Sequence, residues 1–104
     1  MSEHPPAAVP ASPSPADVRH DPQRHCFELR VEGRLCRADY RMVGRAMVVH
    51  HTEVPPALEG RGLASVLVRA VFDHAGAAGL TVTPLCSYVR AWARRHPEVT
   101  GLLS

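Results

Sequence analysis

Lysine is absent from this sequence. All twelve basic residues are arginine, and ten acidic residues balance them to a formal net charge of only +2. A charge this close to neutral leaves no electrostatic footprint for a nucleic acid or an anionic membrane surface. We therefore expect neither among the partners, and we attribute the arginine bias to genome composition.

Paired cysteines are also missing. Cys26, Cys36 and Cys86 are three in number and have no C-x-x-C spacing, which argues against a disulfide framework and predicts no metal site. No apolar run reaches the roughly 18 residues of a membrane span, and the first residues lack the pattern of a signal peptide. These absences favour a reduced protein located in the cytoplasm.

The composition changes near residue 24. Residues 1–24 contain six of the ten prolines together with alanine and serine, so they bury too little apolar surface to offset the entropy of ordering. They are predicted to form a disordered tail. Residues 25–104 suffice for one hydrophobic core and are too few for two, so they are predicted to form one domain.

Alternation of apolar and polar residues predicts three strands, at residues 26–31, 36–43 and 46–54. Turn residues separate the first two strands, which suggests an antiparallel meander, and two prolines end the third. The predicted elements then change to helical spacing.

Apolar residues from Leu63 onward recur with the period of a helix, and glycines at 76 and 79 offer C-terminal caps. A short strand at 80–85 and a helix from Tyr88 to about residue 96, capped by Ser87, complete the pattern. A strand, a helix and a strand in succession imply a right-handed crossover between parallel strands. The prediction is an α+β fold with a mixed sheet, an antiparallel meander plus one parallel crossover strand, and two helices in the order βββαβα.

A glycine turn precedes the main helix, in the stretch VPPALEGRGLAS. Gly60 and Gly62 let the backbone approach a ligand closely, and the first-turn amides from Arg61 to Ser65 have no helical partners. With the positive end of the helix dipole, these donors suit a phosphate or pyrophosphate. The glycines alone fit a simple tight connection equally well.

Residues 51–99 as a whole, HTEVPPALEGRGLASVLVRAVFDHAGAAGLTVTPLCSYVRAWARRHPEV, resemble the small YjdJ-type GCN5-related N-acetyltransferase-like proteins of the GNAT superfamily. The matching elements are a strand ending in HT, the VPPALEGRG turn, the helix, and the segments PLCSYV and RRHPE. The resemblance implies a minimal GNAT-like fold in which acetyl-coenzyme A lies where two parallel strands separate. It implies transfer of an acetyl group to the amine of a small molecule or peptide.

The superfamily's pyrophosphate loop usually reads glutamine or arginine, two residues, glycine, one residue, then glycine or alanine. That pattern places Glu59 at the first position, where its carboxylate adds negative charge near the pyrophosphate. Arg61 either compensates that charge or is a solvated turn residue. The resemblance implies that coenzyme A contacts the following residues: Val54, Glu59, Gly60, Arg61, Gly62, Leu63, Ala64 and Ser65.

Cys86 precedes the last helix, where a thiol can have a lowered pKa and therefore more of the reactive thiolate. The resemblance places the acetyl thioester at this position. Cys86 then either accepts the acetyl group or lines the pocket while an amine attacks the thioester directly. A packing role at the end of a strand is the third alternative.

Two further residues are candidates for proton transfer. The resemblance implies that Tyr88 protonates the departing thiolate of coenzyme A, although Tyr88 and Trp92 also fit a purely structural role in the core. His51 shares a strand face with Glu53 and has a side chain suited to a general base, with edge packing as the alternative.

A coenzyme A-binding or interaction module without turnover is the alternative function, and a monomer or weak homodimer is expected.

Overall fold

The computed structural model describes residues 12–104. The strands are β1 (Arg19–Asp21), β2 (Cys26–Val31), β3 (Arg34–Val43), β4 (Ala46–Glu53) and β5 (Thr81–Pro84), and the α-helices are α1 (Leu63–Ala78) and α2 (Ser87–Arg94). Short 3-10 helices occupy Pro15–Asp17, Pro56–Leu58 and Pro97–Leu102. No helix within residues 12–104 is both long enough and apolar enough to cross a membrane.

The five strands form one mixed sheet in the order β1-β2-β3-β4-β5. Strands β1 to β4 are antiparallel neighbours, and β5 is parallel to β4. Helix α1 makes the crossover between these two parallel strands. The predicted α+β class, meander and parallel crossover are therefore confirmed, and one strand precedes those that were predicted.

The predicted tail is wrong over its last part, because β1 lies within it. This strand pairs antiparallel with residues 26–28 of β2. It is held by His20, whose ring stacks on Phe27 at 4.2 Å and whose Nε2 lies 2.7 Å from the Tyr40 hydroxyl. The sequence Arg-His-Asp shows no apolar alternation, so periodicity could not reveal it. Residues 1–11 lie outside the described part, and for them the tail remains a prediction.

The core lies between one face of the sheet and the two helices. Helix α1 covers the inward side chains of β2, β3 and β4, and α2 packs against α1 and β5. The predicted apolar face of α1 is buried as expected, because its helical period aligns those positions on one side. The largest fully buried side chains include Trp92, Phe72, Leu29, Met47, Leu58 and Leu67.

Arg45 connects the end of α1 to the turn between β3 and β4. The helix ends at Gly79, where φ is +70°, and the Arg45 guanidinium donates hydrogen bonds to the carbonyls of Gly79 at 2.8 and 3.1 Å and of Ala78 at 3.3 Å. These carbonyls have no partner within a helix, so an arginine here satisfies them and interacts favourably with the helix dipole. Gly79, one of the two predicted caps, is the one used.

A β-bulge changes the direction of the side chains at the end of β4. Asp39 of β3 pairs with His51 and Tyr40 pairs with Val49, so His50 is the extra residue. Val49 faces the core, and strict alternation would also turn His51 inward. The bulge instead places His51 on the open face of the sheet and Thr52 on the core side.

Candidate functional site

A gap opens where β4 and β5 stop pairing. Their parallel ladder ends at Val49 and Pro84, and the Val49 carbonyl accepts hydrogen bonds from the amides of Leu85 and Cys86, each at 3.0 Å. Beyond this point β4 continues to Glu53 while the chain after β5 turns into α2. The prediction assigned acetyl-coenzyme A to a separation of this kind.

Cys86 lies at this gap and is the N-cap of α2, so the predicted cap at Ser87 is wrong by one residue. The Cys86 Sγ lies 3.6 Å from the Thr52 hydroxyl oxygen on the facing end of β4. Burial by itself raises the pKa of the thiol. Hydrogen bonds from the Thr52 side chain and from the backbone of Val89 and Tyr88 outweigh it and lower the pKa overall. Cys86 therefore has a larger thiolate fraction than an ordinary cysteine, the direction expected for a thiol at a helix N-terminus.

The glycine turn before α1 has a left-handed backbone. Gly60 has φ +83° and Gly62, the N-cap of α1, has φ +74°. The first helical hydrogen bond runs from the Val66 amide to the Gly62 carbonyl at 3.2 Å, so the preceding amides have no partner within the helix. A Cβ built on either glycine meets no described atom within 4 Å, so the space beside both residues is open.

A cavity of about 220 Å³ lies beside this turn. It brings together most of the predicted cofactor contacts and one predicted catalytic residue, Tyr88. Of the predicted contacts in the described part of the chain, Arg61 and Ser65 are outside the lining. The lining residues are Val54, Leu58, Glu59, Gly60, Gly62, Leu63, Ala64 and Tyr88.

Arg61 does not compensate the charge of Glu59. Its guanidinium forms a two-point ion pair with Glu32 at the turn between β2 and β3, with N–O distances of 2.7 and 3.4 Å. The hydrogen bond and the positive charge of Arg61 lower the pKa of the Glu32 carboxyl. Glu59 is left as the carboxylate that lines the cavity.

Ser65 contributes to the site through its neighbours on α2. Its hydroxyl oxygen accepts a hydrogen bond from the indole nitrogen of Trp92 at 2.8 Å. Trp92 is buried, as predicted for a core aromatic, while Tyr88 is only partly buried and lines the cavity. Burial raises the pKa of Tyr88, opposed by the Arg95 charge and the Ser65 side chain. The phenol therefore keeps its proton at neutral pH.

His51 belongs to a polar cluster on the open face of the sheet. Its Nε2 lies 3.4 Å from a Glu53 carboxylate oxygen, so the prediction that these two side chains share a face is confirmed. Arg37 contacts that same Glu53 oxygen at 3.6 Å. The Nε of Arg37 also lies 3.1 Å from a carboxylate oxygen of Asp39. An imidazole beside a carboxylate is a suitable acceptor for a proton.

The backbone of the site suits a phosphate-bearing ligand, but the side chain of Glu59 suits it less well. Amides without helical partners, two left-handed glycines and open space beside them form a cradle for an anion. Glu59 opposes this fit because its carboxylate lines the same cavity. Backbone donors are the larger part of the cradle, so the residues present suit the pyrophosphate group of coenzyme A.

Two residues of the site were missed. Thr52 follows His51 in the HT pair, and only the histidine was considered, because strict alternation hid the bulge that turns Thr52 toward Cys86. Leu58 is fully buried and anchors the loop to the core while lining the cavity. The sequence signal for this role was a single leucine between two prolines and the glycine turn.

Comparison with known proteins gives the family. A family model described as GCN5-related N-acetyl-transferase matches residues 26–102. Protein NATD1 of Bos taurus is 36% identical over 103 residues, covering 93% of this chain and 91% of that protein. Protein NATD1 of Homo sapiens is 36% identical over 101 residues, covering 90% and 89%.

The fold has a solved counterpart. The solution structure of a GCN5-like protein from Staphylococcus aureus matches with a TM-score of 0.67 at 22% identity, covering 84% of this chain and 86% of that one. That likeness shows a shared arrangement of strands and helices, and the family match extends over most of the same region. The chain belongs to the GCN5-related N-acetyltransferase family.

Proposed function

We propose that this protein transfers the acetyl group of acetyl-coenzyme A to the primary amine of a small molecule or peptide. The observation that carries the proposal is the glycine-turn cavity, which Tyr88 also lines, close to the gap where Cys86 faces Thr52. Acetyl-coenzyme A supplies an activated thioester. The chain supplies hydrogen-bond donors, proton-transfer groups and position, which can account for a large part of the rate.

The amides that precede Val66 would hold the phosphates of acetyl-coenzyme A, and the gap between β4 and β5 would receive its thioester. Tyr88 gives its hydroxyl proton to the departing sulfur. Its raised pKa ensures that this proton is present at neutral pH. In this role Tyr88 acts as the general acid.

His51 takes the proton of the attacking amine on the open face of the sheet. As the N–C bond of the amide forms, the C–S bond of the thioester breaks, and the amine proton passes to the imidazole. Glu53, 3.4 Å from Nε2, stabilises the imidazolium that results. This scheme needs no residue outside those already placed.

Cys86 offers a second route to the same product. Its lowered pKa and partial exposure suit a thiolate that accepts the acetyl group and passes it to the amine. Intact mass separates the routes: incubation with acetyl-coenzyme A alone adds one acetyl group to the protein in the covalent route, and Cys86→Ala abolishes it. Direct attack predicts no adduct and unchanged amine acetylation by Cys86→Ala.

A coenzyme A-binding module without turnover is the second candidate. It is favoured by the small size of the glycine-turn cavity, about 220 Å³ against roughly 300–1,000 Å³ for usual small-molecule sites, because a ligand that fills it leaves little enclosed space for an acceptor amine. Both candidates require that calorimetry detect binding of acetyl-coenzyme A, and absence of heat contradicts both. Release of free thiol that depends on an added primary amine supports the enzyme, whereas binding without release supports the module.

A further inference from the structure

We propose that Glu32 sets the affinity of the glycine-turn cavity for phosphate-bearing ligands by competing with them for Arg61. The inference rests on the proposed coenzyme A site and names a residue that controls it. Glu32 belongs to the turn between β2 and β3, 29 residues from Arg61 in sequence. In the absence of ligand the pair holds the cation of the loop away from the cavity.

Arg61 and Glu32 form a two-point ion pair. Two guanidinium nitrogens of Arg61 face the two carboxylate oxygens of Glu32, at 2.7 and 3.4 Å. Paired donors of this kind match a phosphate as well as they match a carboxylate. A phosphate in the cavity and the Glu32 carboxylate therefore compete for the same two donors.

Arg61 is the mobile end of this pair. It lies between Gly60 and Gly62, both with left-handed φ and both with open space where a side chain would begin. A residue between two glycines reorients at low cost, because neither neighbour restricts φ. The backbone at Glu32 is fixed by comparison, because the strands on both sides of its turn are paired with each other up to Val31 and Arg34.

The negative charge of the cavity favours movement of Arg61 toward a bound phosphate. Within the described part of the chain, Glu59 is the one charged side chain in the lining. A pyrophosphate beside it meets like charge, and the nearest basic residue in the sequence is Arg61. The pair with Glu32 is exposed, with 41% and 58% of the two side chains accessible, so exchanging one anion for another costs little.

Calorimetric titration of coenzyme A into four proteins tests the competition: the wild type, Glu32→Gln, Arg61→Gln and the double variant. Glu32→Gln should bind about two- to fivefold more tightly, the range set by an exposed ion pair. Arg61→Gln should bind more weakly than the wild type. In the Arg61→Gln background, Glu32→Gln should bring no gain, because the residue it competes for is gone.

Two controls isolate the effect. Glu98→Gln removes the partner of Arg69 in another exposed pair, away from the cavity lining, and should leave the affinity for coenzyme A unchanged. Pantetheine carries no phosphate, so its binding should not respond to Glu32→Gln. Thermal unfolding of each variant confirms that the fold is retained.

The outcomes are distinguishable. If the wild type shows no binding of coenzyme A, the proposed function fails together with this inference. If the wild type binds but Glu32→Gln binds equally or more weakly, the competition is wrong and the proposed function stands. A gain from Glu32→Gln that persists in the Arg61→Gln background also overturns the competition, because it would then be a general effect of removing one negative charge.

Discussion

The hydroxyl oxygen of Thr52 and the thiol of Cys86 lie 3.6 Å apart across the gap where β4 and β5 separate. This contact joins the end of β4 to the start of α2 after the backbone ladder has ended. It also supplies one of the hydrogen bonds that lower the pKa of Cys86 against the opposing effect of burial. One side-chain contact therefore supports both the shape of the gap and the reactivity of its thiol.

Cys86 is expected to be the thiol alkylated fastest by iodoacetamide near pH 7. Its pKa is lowered, so more thiolate is present there, whereas burial raises the pKa of Cys26 and Cys36. Thr52→Val should raise the pKa of Cys86 and slow its alkylation about two- to tenfold, as expected for the loss of one hydrogen bond. Peptide mass spectrometry over a pH series measures each site. Equal rates for all three thiols in the native protein would contradict this prediction.

Gly62→Ala is expected to weaken coenzyme A binding by more than it destabilises the fold. At φ +74° an alanine costs about 1 kcal/mol of backbone strain, and beyond the adjoining residues no atom of residues 12–104 lies within 4 Å of its methyl group. That methyl group occupies space at the cavity that a ligand requires. Calorimetry measures affinity, and urea unfolding measures the free energy of unfolding.

Gly44→Ala is the matched control. Gly44 has φ +60° and equally open surroundings, but it lies at the turn between β3 and β4 and outside the cavity lining. Its substitution should cost similar stability and leave coenzyme A binding intact. If both variants lose affinity equally, the effect of Gly62→Ala is one of global stability.

Most of the fold could be predicted from the sequence, because the apolar residues of most strands and helices recur with the period of that element. Alternation identified β2, β3 and β4, and the helical spacing from Leu63 matched the start of α1. Strand β1 was not predictable in this way, since its stability comes from His20 packing on Phe27 and bonding to Tyr40. Such tertiary contacts leave no periodic pattern in a three-residue segment.

The parts of the candidate site that the backbone forms were predictable from the sequence. The contacts between its side chains were less predictable. The turn at Gly60 and Gly62 and the position of Cys86 followed from glycine chemistry and the order of elements. The pairing of Arg61 with Glu32 did not, because it joins two turns whose approach depends on the folded sheet. Local pattern cannot specify contacts between residues so distant in sequence.

Tyr88→Phe is expected to lower kcat by about 100-fold, the lower part of the range for loss of general acid catalysis. Coenzyme A affinity should change by less than about twofold, because the ring that lines the cavity is retained. Burial holds the pKa of Tyr88 above its ordinary value near 10.0, so its protonation should not limit activity between pH 6 and 9. Steady-state kinetics with a saturating primary amine measure the change.

Tyr40→Phe is the control for that substitution, because Tyr40 is the other tyrosine and lies in the core beside His20. It should lower stability by about 1 kcal/mol through loss of one hydrogen bond and leave kcat nearly unchanged. A kcat for Tyr88→Phe within twofold of the wild type would remove Tyr88 from the proton-transfer role.

Acidification is expected to destabilise the fold through His20. Burial lowers the pKa of His20 below its ordinary value of 6.5, and the neighbouring His74 lowers it further, while Asp21 opposes them. The unfolded chain therefore binds a proton at a higher pH than the folded chain does. As the pH falls below about 6.5, protonation favours the unfolded state, and the free energy of unfolding declines until the folded pKa is reached. Above about pH 8 His20 is almost entirely neutral in both states and contributes almost no slope.

His20→Gln isolates this contribution. The variant loses the Tyr40 contact and should be less stable at pH 7.5, but its free energy of unfolding should fall less between pH 6.5 and 5 than that of the wild type. Urea unfolding at several pH values in this window measures both slopes. Because β1 contains His20, the protection factors of the amides at residues 19–21, which correct the exchange rates for their intrinsic pH dependence, should also fall at pH 5 in the wild type. Parallel stability curves for the two proteins would show that His20 does not couple the fold to pH.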